Sequence, residues 1–440
     1  MKKRGLGLGL VLLLIANVAM ASDLRAACYL QDQEGEEVHG VNLDRRLEIA
    51  SVSKVMTAYW AIKKLGVDAR FTTAIHIKKV DDDLYDVHFQ GSRDPYTGRD
   101  MLQYVVGELN RLGITKVRRL TFDEKFKFLA DVRGVAAGHF TPHTPDADTV
   151  MRQIRSVISS LSTGYPSLQA RAQEVHNMQL PRAIKLTAID ISLLESSNFD
   201  AREFDSAYLY RSANMQIVLK EMNRNSNNHA ANQIFESLGG AEAFARFIKA
   251  DLGLDEGDIR FINGSGDRHD VPDGQPLYNE ASCRSIIKVL VALRTELRKT
   301  DRYLQDVMAV AGSDAEGERS TVTALYNNDE TGGALIAKTG TVNPSISLAG
   351  LVSTEEGRVY FGSIYSADGT ASSWHGARGQ IRAQVVKLFQ KFGGRRKLDY
   401  KAVPYFAFDR SSGLQKLENR AAEARSSKLS SGNNERGDRD

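Results

Sequence analysis

The tripeptide Lys338-Thr339-Gly340 closes the apolar run Ala334-Leu335-Ile336-Ala337 and is followed by Thr341-Val342. The run reads as a buried strand whose end carries a cation, a hydroxyl and a glycine alongside which a substrate backbone can lie. A given tripeptide arises by chance roughly once in a few thousand residues at average composition, so it carries weight only with partners. Two partners lie upstream, in an order that makes a site.

Ser51-Val52-Ser53-Lys54 opens an apolar stripe with helical spacing, Val52, Met56, Trp60, Ile62 and Leu65. A serine at the start of a helix sits in the positive end of the dipole, and a lysine three residues on shares its face. If Lys54 is buried, its charged form is disfavoured and it can take the serine proton as a general base. The bland alternative is a helix cap with a surface lysine. Ser285-Ile286-Ile287-Lys288 fits the same pattern, but it falls inside the periodic segment Ala281 to Leu297, where its serine is expected to have neither dipole nor exposed mouth.

Ser226-Asn227-Asn228 lies between the helical run through Met215, Ile217, Val218 and Met222 and a second run through Ala231, Ile234, Phe235 and Leu238. A polar turn between two helices can present a hydroxyl that relays a proton and an amide that holds a substrate carbonyl. The same pattern occurs at Ser196, Ser212 and Ser431, and turn capping accounts for each of them equally well. Setting and order select Ser226.

The trio resembles the Ser-x-x-Lys, Ser-x-Asn and Lys-Thr-Gly signature of penicillin-binding proteins and serine β-lactamases. Longer stretches, Ile49 to Ala58, Leu219 to Asn223, Asn263-Gly264-Ser265-Gly266 and Ala337 to Val342, resemble the penicillin-binding protein 4 type of D-alanyl-D-alanine carboxypeptidase and endopeptidase. Arg70 to Thr73, Gly91 to Pro95 and Gly113 to Val117 resemble that family's second domain, and the likeness spans most of residues 26–395. The resemblance implies an α/β (α+β) fold of the β-lactamase/transpeptidase type, an antiparallel sheet flanked by helices, interrupted by an inserted α/β domain. The expected division is a signal peptide at 1–21, a penicillin-binding domain at 22–67 and 205–400, the insertion at 68–204 and a disordered tail at 409–440.

Two departures stand out. About 175 residues separate Ser51 from Ser226, fewer than the family usually carries and room for roughly one extra domain of ordinary size. The family's tryptophan-rich Gly-Trp-x-Trp-Asp segment, whose aspartate helps read the substrate side chain, has no counterpart around Gly134 to Asp148.

Local patterning fits this organisation. A hairpin is expected over Ala26–Gln31 and Val38–Asn42 across a turn at Gly35, then the Ser51 helix. Strands at 71–78, 84–90 and 117–122 with a helix through Leu102 to Leu112 make the inserted unit. Helices are expected over 150–161, 212–238, 242–252 and 281–297. Strands at 334–341, 347–352 and 359–365 form the antiparallel end of a sheet, and an amphipathic helix over 380–392 closes the domain.

Lys2-Lys3-Arg4, the apolar stretch Leu6 to Val18 and Ala19-Met20-Ala21 have the parts of a secretory signal peptide, and predict a periplasmic protein. Residues 1–21 carry three of the 58 Lys and Arg and no acidic residue, which leaves 55 basic against 55 acidic side chains. The remainder is formally neutral, so neither charge nor aromatic interleaving points to nucleic acid. Cys28 and Cys283 are the two cysteines; an oxidising compartment allows a bridge, and two buried thiols fit as well. His139 and His143 sit four apart, but Pro142 between them spoils a helix, so no metal site is expected. His229 either lines the cleft or faces solvent.

The expected chemistry is acyl transfer at a D-alanyl peptide bond of peptidoglycan without a cofactor. Ser51 attacks, Lys54 accepts its proton, Ser226 passes one to the leaving amine and Asn228 positions the acyl side. In line with the resemblance, Lys338 and Thr339 fix the carboxylate of the leaving residue, Gly340 lets the substrate backbone lie alongside, and backbone N–H groups of Ser51 and Thr341 form the oxyanion hole. Stem peptides and cross-links are the expected substrates and β-lactams the expected acylating inhibitors. A serine β-lactamase and a non-hydrolytic wall-binding or β-lactam-sensing protein are the competing readings. Carboxypeptidase and endopeptidase action, side-chain preference and oligomeric state stay open.

Overall fold

The computed structural model describes residues 23–32, 37–134, 144–315 and 318–417. The charged and apolar leader, the turn at Gly35, both loop histidines and the chain beyond 417 lie outside them.

The first sheet has six antiparallel strands. Its order runs Ala309–Val310, Leu335–Val342, Ser345–Thr354, Gly357–Ser366, Leu24–Gln31 and His39–Val41. Ser345–Thr354 is buried along its whole length because helices cover both faces. Ser53–Leu65 and Cys283–Arg298 pack on one side, and Ala371–Lys391 packs on the other over Ala377, Ile381, Val385 and Phe389. Residue 283 is joined to residue 28 by a disulfide, with Cα atoms 6.0 Å apart, so the two cysteines are a bridge and not two thiols.

A second six-stranded sheet is ordered Gln415–Lys416, Ser206–Asn214, Arg70–Asp81, Leu84–Gln90, Lys116–Phe122 and Thr187–Leu193. The last three run parallel, and the helix Arg99–Arg111 makes the crossover between two of them. Two boundaries of the expected division move. Strand Ser206–Asn214 belongs to this second sheet, although residues from 205 on were assigned to the other domain. Residues 410–412 form a helical turn and Gln415–Lys416 pairs with Leu209 and Tyr208, so the segment from 409 to 417 is part of the fold and not tail.

Other elements also extend beyond expectation. The closing helix begins at Ala371, nine residues before Gln380, and a helix at Tyr165–His176 follows Ala147–Ser159. Alternation in Ser206–Asn214 is interrupted by Tyr208-Leu209-Tyr210, which masked the strand in the sequence.

Candidate active site

Ser51 sits in a single 3₁₀ turn, Ala50–Val52, that runs into the helix Ser53–Leu65. Ala50, fully buried, has φ +49°, a left-handed conformation rare for a side chain with a Cβ. The turn is pinned from three sides. Ser347 Oγ donates to Ile49 O at 2.7 Å, Ser345 Oγ donates to Glu48 O at 2.8 Å, and Ser53 Oγ donates to Ala50 O at 2.6 Å. Gly340 is required here, because a Cβ on it would strike Ser347 Oγ and Ile49 O. Its place in the Lys-Thr-Gly motif is therefore set by close packing of the serine turn against the strand.

Lys54 is completely buried, and its Nζ meets Ser51 Oγ at 2.8 Å, Asn228 Oδ1 at 2.7 Å and Ser265 O at 2.9 Å. Burial lowers its pKa to about 7, against a smaller raising influence from Asp267. In the neutral amine two N–H groups satisfy the fixed acceptors Asn228 Oδ1 and Ser265 O, which leaves the lone pair facing the Ser51 hydroxyl.

The Ser226 turn serves structure as well as chemistry. Ser226 is the left-handed residue that ends helix Met215–Asn225, with φ +56°, and Asn227 caps helix Asn228–Ser237 by accepting from Ala230 N. Asn227 Nδ2 donates to Val132 O at 2.7 Å, so a segment next to the second sheet buttresses the turn. Arg133 continues that contact: Nε donates to Glu221 Oε1 and Nη2 to Glu318 Oε1, both at 2.6 Å, while Arg224 reaches both carboxylates as well.

Lys338 is fully buried, with Nζ 2.8 Å from Ser226 Oγ, 2.8 Å from Thr339 O and 3.4 Å from Thr339 Oγ1. Burial, and secondarily the positive charge on Lys54, holds its pKa well below that of an ordinary lysine. Thr339 Oγ1 donates to Thr321 Oγ1 at 3.1 Å, and the exposed Thr341 accepts from Arg378 Nη2 at 3.2 Å. Beyond Ala337 the outer edge of this strand has no paired strand among the described residues, since Ala309–Val310 covers only Ala337 and Ile336.

Ser51, Lys54 and Asn228 thus form one hydrogen-bonded set and Ser226 with Lys338 a second, the two coupled through the charge of Lys54 on Lys338, with Thr339, Gly340 and Thr341 on the Lys338 strand. Sequence reasoning missed Asp267, Thr321, Arg133 and Arg378. Asp267 directly follows the quoted Asn263 to Gly266 stretch, which was the available signal. The second Ser-x-x-Lys differs from its expected setting. Ser285 does lie in the first turn of its helix, but its hydroxyl is buried against Ser282 Oγ and Asp258 O, and Lys288 is exposed. His229 neither lines the cleft nor faces solvent: it is fully buried, and burial takes its pKa to about 3. Among the described residues no group of three or more His, Cys, Asp or Glu is placed to hold a metal.

A serine hydroxyl against a buried lysine whose pKa is lowered to about 7, with a second serine against a second lysine, fits a serine acyl-transfer enzyme. The chain belongs to the D-Ala-D-Ala carboxypeptidase 3 (S13) family, matching its pattern over residues 16–136 and 206–391. It is a serine DD-peptidase. No curated protein sequence matches it. Among solved structures it is similar to Bd3459, a predatory peptidoglycan endopeptidase from Bdellovibrio bacteriovorus, at 34% identity over 90% of this chain and 100% of that one, TM-score 0.81. The penicillin G-acylated form of that protein, in complex with an immunity protein, matches at 33% identity over 90% of this chain and 100% of that one, TM-score 0.77. Penicillin-binding protein 4 from Haemophilus influenzae shares the fold at 15% identity over 84% of this chain and 97% of that one, TM-score 0.57.

Proposed function

We propose that this chain is a periplasmic enzyme that cuts D-alanyl cross-links between peptidoglycan stem peptides, trims terminal D-alanine, and is acylated by penicillins. The observation that carries the reading is the Ser51–Lys54 pair, 2.8 Å apart, with the lysine buried and its pKa near 7. A base poised at neutral pH beside a hydroxyl suits nucleophilic attack.

In this mechanism Ser51 Oγ attacks the D-alanyl carbonyl as its proton moves to Lys54 Nζ. The C–N bond then breaks while Ser226 Oγ delivers a proton to the departing amine and takes up the one held on Lys54 Nζ. Lys54, neutral again, accepts a proton from the water that attacks the ester and returns it to Ser51 Oγ as the acid leaves. Asn228 positions the acyl side. The substrate backbone lies along the open edge of the strand Leu335–Val342, beside Thr339, Gly340 and Thr341. Backbone N–H groups of Ser51 and Thr341 face the oxyanion, a contribution of about 10²–10³ in rate. Lys338 keeps the Ser226 hydroxyl oriented for the relay.

The emphasis on cross-links is supported by the endopeptidase relative, which this chain covers completely, and by the short spacing between Ser51 and Ser226. Export is supported by the charged and apolar start of the sequence and by the Cys28–Cys283 bridge. No helix of the described residues is long and apolar enough to cross a membrane.

Digestion of purified muropeptides tests the reading. Conversion of dimers to monomers together with loss of terminal D-alanine is expected. Release of D-alanine alone would remove the endopeptidase assignment, and an unchanged digest would remove the whole reading. A fluorescent penicillin should label the protein and leave it slowly; rapid release would identify a β-lactamase instead.

A further inference from the structure

A leaving residue that bears a carboxylate needs a cation at the mouth of the site, and Lys338 is poorly placed to supply it. Its Nζ already lies within hydrogen-bond distance of Ser226 Oγ, Thr339 O and Thr339 Oγ1, and the side chain is wholly enclosed. A new contact to a carboxylate there would require taking the amine from Ser226.

Arg378 offers the charge in the open. It projects from the early turns of Ala371–Lys391 with its guanidinium carbon 6.0 Å from the centre of the Trp374 ring, and it is only half-buried. Nη2 donates to Thr341 Oγ1, the exposed hydroxyl at the end of the Lys-Thr-Gly-Thr strand. Nε is buried without a hydrogen-bond partner, and the side chain forms no ion pair among the described residues. A guanidinium has five donors in a planar fork that matches a carboxylate, and a buried donor left unsatisfied is costly, so an acceptor at this position is called for.

We propose that Arg378 receives the carboxylate of the departing residue, together with the Thr341 and Thr339 hydroxyls, while Lys338 remains the partner of Ser226. The proposal rests on the DD-peptidase reading above and adds a specificity-determining residue to it. The carboxylate can belong to a terminal D-alanine or to the acceptor residue of a cross-link; the chemistry is shared.

The test compares an acyl-D-Ala-D-Ala peptide with the same peptide ending in a carboxamide, in the full-length protein and in Arg378→Ala. The variant should lose roughly 10- to 100-fold in kcat/KM on the free acid, mostly through KM, and less than about three-fold on the carboxamide. Arg378→Lys should recover part of the loss, because it keeps the charge without the fork. The same contrast is read in acylation by benzylpenicillin and by its methyl ester. A parallel loss on a muropeptide dimer assigns the subsite to cross-links as well; a spared dimer restricts it to terminal D-alanine. Equal losses on acid and amide, or none on either, would overturn the assignment while wild-type turnover left the enzymatic reading intact. A wild-type protein that neither labels nor cleaves would end both.

Discussion

Asp267 Oδ2 accepts a hydrogen bond from Asn228 Nδ2 at 2.9 Å. That bond fixes which way the Asn228 amide points, and so presents its oxygen to Lys54. It also places a carboxylate close enough to Lys54 to oppose, in part, the loss of basicity that burial imposes. The charge of Lys54 in turn adds to the burial that lowers the Lys338 pKa.

The pH dependence of acylation follows. Lys54 acts as a base only when neutral, so the rate of penicillin acylation should rise with pH through about 7. Asp267→Asn removes the influence that raises the lysine pKa, so the rising limb should move to lower pH. Stopped-flow acylation across neutral pH measures it, and a limb that stays put or moves upward contradicts the coupling.

Replacing the pair itself separates its two roles. Ser51→Ala should abolish penicillin labelling and cross-link cleavage with the fold retained, whereas Ser285→Ala should label normally. Lys54→Arg keeps a cation yet cannot accept a proton, so acylation should be lost. Normal acylation by that variant would make Lys54 a structural residue.

Arg133→Ala should lower stability by about 3 kcal/mol, the lower end of the cost of stripping one partner from a buried ion pair, since Arg224 still serves both carboxylates. Urea unfolding measures it. Because Glu221 lies on the helix that ends at Ser226, turnover should fall as well, and a change within about 0.5 kcal/mol would show the cluster to be solvated.

The residues legible in the sequence were those whose chemistry repeats at fixed short spacing: Ser51 with Lys54, Ser226 with Asn228, and the strand ending in Lys338. Each is a local pattern on one element. Asp267 adjoins the Asn263 to Gly266 stretch, but its role, like that of Arg133, is set by partners far away in the chain, on Asn228 and on Glu221 and Glu318. Arg378 was hidden by a boundary. Ala371 to Gly379 contains two glycines and few large apolar residues, so nothing periodic announced the first turns of that helix; Thr370 capping Ser373 and the burial of Ala377 hold it. The strand at 206–214 was lost because tertiary pairing with Arg70–Asp81 overrides a weak alternation. Gly340 was assigned to substrate passage when its nearer duty is to admit the serine turn, a contact between residues 49 and 340 that no local pattern encodes.

The bridge between Cys28 and Cys283 turns most of the chain into a covalent ring that contains every strand of the second sheet except Gln415–Lys416. Both members of the Ser51–Lys54 pair, and Ser226 too, are inside that ring; Lys338 is outside it. A protease that severs one peptide bond between residues 28 and 283 would therefore release nothing: the pieces would stay tethered, and the nicked protein would separate into fragments only after reduction.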